Sequence, residues 1–180
     1  MQELVRRAKE FAIRAHDGKI RPNRAQEPYS AHLSETAELI AEAGGSEIEI
    51  SAGWLHDTVE DTDVTIEQIM AEFGTEVACV VQGLTDPEWP EGISTLTRKK
   101  FQAVRVKSES NSIKLCKLAD QTSNVRSVAV DPPIKWIAQK CRDYVEGAKL
   151  IAIECQGISS ILDKYFAKAY ENAINSKWLG

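Results

Sequence analysis

Residues 46–62 read Ser-Glu-Ile-Glu-Ile-Ser-Ala-Gly-Trp-Leu-His-Asp-Thr-Val-Glu-Asp-Thr. Ser46 opens a helix that carries Ile50, Trp54 and Leu55 on its apolar side. Continued as one helix, the stretch sets His56 and Glu60 on one face at i, i+4, with Asp57 and Asp61 on the face about 100° away. Asp57, Glu60 and Asp61 repel one another, so the local sequence favours binding a cation. Val59 and the preceding Trp54-Leu55 turn the cluster toward an apolar interior. An acidic, solvated helix end is the other reading, and an adjacent His-Asp pair does not by itself decide between them.

Outward from this stretch the apolar spacing stays helical. Leu4, Ala8, Phe11, Ala12 and Ala15 form a stripe ending near His16, and residues 17–29, with Gly18, Pro22 and Pro28, read as a loop. Ser30 is placed to cap a helix running to about Ala43 and stopping at Gly44-Gly45. Thr65 and Gln68 have capping-box spacing ahead of Ile66, Ile69, Met70 and Phe73. Further helices are predicted over 75–84, 94–106, 110–128, 133–153 and 158–175, with Pro132-Pro133 suiting a helix entry. No alternating strand pattern competes, so the expected fold is all-α: one helical bundle over residues 1–180.

Composition narrows the function. With 22 basic and 27 acidic residues the net charge is −5, which argues against a duplex nucleic-acid binder, since that needs a dominant basic face. The start lacks an apolar signal core and no run is long enough to span a membrane, so a cytoplasmic protein is expected. Cys79, Cys116, Cys141 and Cys155 form no CxxC pair and sit in apolar-periodic segments, which reads as buried, reduced thiols.

Three histidines, His16, His32 and His56, can each be weighed singly. His32 lies near the start of its helix, and Asp120 lies on an apolar helix with Ile113, Leu115 and Leu118. A carboxylate there needs a partner, because burying it unpaired is costly. His32, His56, Asp57 and Asp120 would bring two imidazoles and two carboxylates from three helices, a set suited to Mn²⁺ or Fe²⁺ with positions left for water and substrate. His16, at a helix end, reads as structural.

The order His…His-Asp…Asp resembles that of the HD phosphohydrolase superfamily. The blocks His16-Asp17-Gly18-Lys19-Ile20-Arg21, Glu27-Pro28-Tyr29-Ser30-Ala31-His32, Leu55 to Thr62, Phe73-Gly74, Gly83-Leu84-Thr85, Lys117-Leu118-Ala119-Asp120 and Asn124-Val125-Arg126 are similar to the RelA/SpoT-type hydrolase domain within it. The chain is too short to hold a synthetase, TGS or ACT region as well, so it looks like a stand-alone small alarmone hydrolase, similar to the metazoan SpoT homologue. The resemblance implies an HD-domain bundle and manganese-dependent hydrolysis of the 3′-pyrophosphate of (p)ppGpp. It implies His32, His56, Asp57 and Asp120 as metal ligands, and Glu60 and Asp61 as the pair that orients and deprotonates the attacking water. A carboxylate one helical turn from the ligands is placed to accept that proton.

A polyanionic nucleotide needs local cations on an acidic chain. Lys19, Arg21 and Arg24 are one supply and Arg98-Lys99-Lys100 another, either of which also reads as ordinary solvated surface. Arg21 matches the family arginine, but the lysine usual after it is Pro22 here; Arg24 or Lys19 makes up the charge, or the substrate differs. A phosphatase acting on another phosphorylated nucleotide such as NADPH is the alternative. A non-catalytic nucleotide-binding module is disfavoured by the intact ligand and acidic residues. Leu33 replaces a family proline, and Gln121-Thr122-Ser123 replaces a basic and a larger apolar residue. Asn124 matches a nucleotide contact, and Tyr144 matches a family aromatic or serves as a core tyrosine. Trp89, in a loop, is the tryptophan to watch.

Overall fold

The computed structural model describes residues 2–179. Its helices are α1 (Glu3–Ala15), α2 (Ser30–Glu42), α3 (Glu47–Leu55), α4 (Thr58–Asp61), α5 (Ile66–Phe73), α6 (Thr75–Leu84), α7 (Thr95–Val106), α8 (Asn111–Val130), α9 (Ala138–Cys155) and α10 (Ser160–Ile174). The all-α expectation holds: the one extended pairing among the described residues is an isolated bridge between Ile20 and Pro28. No described helix is long and apolar enough to cross a membrane.

Capping accounts for several boundaries. Ser46 with Glu49, and Thr65 with Gln68, form reciprocal capping boxes at α3 and α5. Ser94, Ser110 and Ser159 accept from backbone N–H groups at α7, α8 and α10. Gly44, at φ +81°, provides the left-handed turn that stops α2.

Three expectations are corrected. Ser30 is the first residue of α2, not its cap; Tyr29 takes that position with no side-chain capping bond. Pro133 does not enter a helix, because α9 starts at Ala138. Instead Ile134 donates its N–H to the Pro22 carbonyl at 2.8 Å, tying this segment to the first loop. All four cysteines are free, but Cys79 is exposed on α6 and only the other three are buried.

Helix α8 runs through the middle, against α2, α3, α6, α9 and α10. From Leu115 to Ser123 every side chain is buried, as expected of a helix covered on all sides. Leu118 is fully enclosed; truncating such a leucine to alanine typically costs about 2–5 kcal/mol. Two glycines permit close approach around this frame. A Cβ on Gly53 would lie 2.5 Å from Ile40 Cδ1, so its absence lets α3 close on α2. A Cβ on Gly147 of α9 would lie 2.4 Å from the Cβ of Lys99 on α7.

Candidate active site

The chain bends at the ligand cluster. Helix α3 ends at Leu55, Asp57 has φ −94° and ψ −2°, and α4 restarts at Thr58, so the single helix expected through 46–62 is broken at Asp57. Asp57 Oδ2 lies 3.1 Å from His56 Nε2 and 3.5 Å from His32 Nε2, and the two Nε2 atoms are 3.2 Å apart. Helix α8 brings Asp120 Oδ1 to 3.5 Å from His32 Nε2 and 3.7 Å from His56 Nε2. All four side chains thus converge, three of them close enough to share an ion.

The donor set suits a divalent cation. His56 Nδ1 lies 2.8 Å from the Gly53 carbonyl, which only accepts, so Nδ1 carries a proton and Nε2 is the nitrogen turned to the cluster, where a cation would take the place of its proton. Burial opposes charging His56, but Asp57 and Asp120 outweigh it and raise its pKa well above the ordinary value. Burial likewise opposes ionising Asp57 and Asp120, and is outweighed by the two histidines and, for Asp120, foremost by Lys117. Each group calls for positive charge at one point. Tyr29 supports Asp57 by donating its hydroxyl to Oδ2 at 2.8 Å, while its ring stacks on His16 with centroids 5.1 Å apart. His16 is buried and bonded to the Ala12 carbonyl, consistent with a structural role.

A cleft of about 520 Å³ opens beside the cluster, with Asp57 and Asp120 in its wall. Glu60 and Asp61 line it. Glu60 Oε1 accepts from the Asp86 N–H at 2.7 Å. Burial, then the Asp57 charge, push Glu60 up to about 7, although the Asp86 bond pulls the other way. Asp86 is itself held by Gln102 and by Arg105, whose guanidinium lies 3.0 Å from Oδ1.

The lining also carries a set of cations and aromatics, among them Arg98, Lys99, Lys117, Lys140, Trp136 and Tyr144. Lys99 is buried, donates to Gln121 Oε1 at 2.6 Å and sits 4.1 Å from the Tyr144 ring centroid. Burial lowers its pKa to about 8, with the Asp120 charge acting in the opposite direction. Asn124 lines the cleft, donates to Asp120 Oδ1 at 2.6 Å and accepts from Arg21 at 3.0 Å. Arg21 itself faces an adjoining hollow shared with Tyr29, Asn124, Trp136 and Tyr144.

Arg24 is not brought to the cleft. It pairs with Asp131 at 3.2 Å and its guanidinium lies 4.3 Å from the Trp178 ring centroid. Lys117 and Tyr29 carried no expected role. Lys117 had a signal: it is a lysine on an apolar helix, three residues before Asp120, and pairs with it at 3.5 Å.

An all-helical scaffold that gathers two histidines and two aspartates at the edge of a cation-lined cleft defines a metal-dependent hydrolase of the HD class. The HD domain family model matches residues 8–144, and the chain belongs to that family. It is 32% identical over 162 residues to the guanosine-3′,5′-bis(diphosphate) 3′-pyrophosphohydrolase of Xenopus tropicalis, covering 89% of each chain. It is 33% identical to the human protein of the same name, covering 87% of each. A solved structure described as a metazoan orthologue of SpoT that hydrolyses ppGpp superposes with a TM-score of 0.86 at 25% identity, covering 95% of this chain and 96% of that one.

Proposed function

We propose that this chain hydrolyses the 3′-pyrophosphate of guanosine tetra- and pentaphosphate, releasing pyrophosphate and GDP or GTP. The observation that carries the reading is the continuity of one cleft: ligands for a cation at one end, and Lys99, Arg98, Lys117 and Lys140 along the remainder. Relatives named for this reaction at about 32% identity over nearly their full lengths support it, and nothing comparable favours an NADPH phosphatase.

The ion is Mn²⁺, held by His32, His56, Asp57 and Asp120. Bound there, it supplies Lewis acidity toward water and the phosphoryl oxygens. The remaining work falls to side chains. Glu60 accepts the proton of the attacking water, a task suited to a carboxylate whose pKa lies near neutrality. The Asp86 N–H keeps Glu60 Oε1 in place, leaving Oε2 for the water. Asp61 orients the same water. Lys99, Arg98 and Lys140 bind phosphate oxygens, while Asn124, Arg21 and Tyr144 hold the nucleoside. The reading also places the reaction in the cytoplasm, in keeping with four free cysteines.

The test is product analysis on chelator-stripped protein with and without added Mn²⁺. Pyrophosphate release from ppGpp that depends on the ion is the expected result. Phosphate release from NADPH, with ppGpp left intact, would overturn the substrate assignment. Undiminished turnover without metal would overturn the mechanism.

A further inference from the structure

The second nitrogen of His32 leads away from the cleft. His32 Nδ1 lies 2.8 Å from Ser123 Oγ on α8, and that hydroxyl lies 2.7 Å from Glu35 Oε2 on α2. Glu35 Oε1 in turn lies 3.0 Å from an Arg126 guanidinium nitrogen, also on α8. His32 and Ser123 are buried, whereas Glu35 and Arg126 reach partly into solvent.

The proton count along this chain has one solution. A carboxylate paired with a guanidinium is ionised and accepts only, so Ser123 must spend its single O–H on Glu35. Ser123 can then only accept from His32, which requires the proton on Nδ1. In the neutral ring this leaves the lone pair on Nε2, facing His56, Asp57 and Asp120. Gly53 does the same for His56 through a backbone carbonyl, which no substitution can remove. His32 relies entirely on side chains.

Resting on the metal-centre reading above, we propose that Ser123 and Glu35, braced by Arg126, are positioning residues that lock the tautomer and ring orientation of His32 for cation binding. The relay crosses the α2–α8 contact, with His32 and Glu35 on α2 and Ser123 and Arg126 on α8. Hydrogen-bond partners of metal-binding histidines typically govern metal affinity by about 10–100-fold.

The experiment uses full-length, chelator-stripped protein. Mn²⁺ affinity is measured by titration calorimetry, and the imidazole nitrogens of the metal-free protein are assigned by ¹⁵N NMR. Ser123→Ala should weaken Mn²⁺ binding by about 10–100-fold and release His32 into a mixture of tautomers. Glu35→Gln should do so more mildly, and Ser123→Thr should restore wild-type behaviour because it keeps the hydroxyl. Circular dichroism on each variant separates loss of the relay from loss of the fold, which the Ser123→Thr protein guards against. Wild-type affinity and an unchanged His32 signal in both Ser123→Ala and Glu35→Gln would overturn the proposal. Should the wild type bind no divalent ion at all, the metal-centre reading falls, and an unprotonated His32 Nδ1 in the NMR would sink the relay independently.

Discussion

The cation end of the cleft and its phosphate-facing wall are built by opposite means. At the cation end, His32, His56 and Asp120 are each at most 6% exposed, and every one has fixed partners supplied by α2, α3 or α8. Along the wall, Arg98 and Lys140 stand partly in water on α7 and α9, while Lys99 is sunk into the packing and Lys117 is buried beside Asp120. Charges in a low-dielectric cluster interact strongly, and removing one strands the others. Charges facing water are screened and replaceable. The cation end should therefore fail in large steps and the wall in small ones.

The steepest losses should come from His56→Ala and Asp120→Ala. Each removes a ligand and several kcal/mol of transition-state stabilisation, about 10³-fold or more in kcat. Metal content and initial rate measured on the same samples check this, and full occupancy in both variants would move the ion elsewhere. Glu60→Gln and Asp61→Asn come next. Both keep shape and most of the bound Mn²⁺, but lose about 10²–10⁴ in turnover because an amide cannot take the proton. Metal lost in step with rate would instead make the pair ligands.

On the wall, Lys99→Met should raise KM by about 10–100-fold, the worth of one charge-assisted hydrogen bond, with kcat much less affected. Arg21→Ala should raise KM by a smaller factor, since Arg21 reaches the cleft through Asn124. Arg24→Ala should leave KM unchanged, because its charge is already taken by Asp131. A wall variant that abolished kcat would break the distinction between the two regions.

The same division governed what could be read from sequence. Asp120 and His56 were legible because a charged residue on an otherwise apolar helix has few innocent explanations. The helix break at Asp57 was not, because nothing in Leu55 to Thr62 is a helix breaker. The partner of Arg24 could not be read, because Asp131 lies far along the chain. Pro133 failed as a helix start because the Pro22 carbonyl claims the N–H of the next residue. Ser123 carried no signal by itself, since its role exists only once Glu35 and His32 lie on either side of it.

The hydrogen in place of a side chain at Gly147 has a consequence for the pH range of the enzyme. Because α9 can close over the stem of Lys99, the ammonium is desolvated and its pKa is pushed down to about 8 from an ordinary lysine's 10.5. As pH rises through 8 the cleft loses a cation and KM should climb. Over that same window, up to about 10.5, the folded chain holds fewer protons than the unfolded one at Lys99, so alkali should stabilise the fold through this group. Grip on substrate and stability thus move in opposite directions with pH. Gly147→Ala would force the Lys99 stem outward, at about 1–3 kcal/mol of packing. It should then carry tight substrate binding to more alkaline solution, which KM measured across pH 7–10 would reveal.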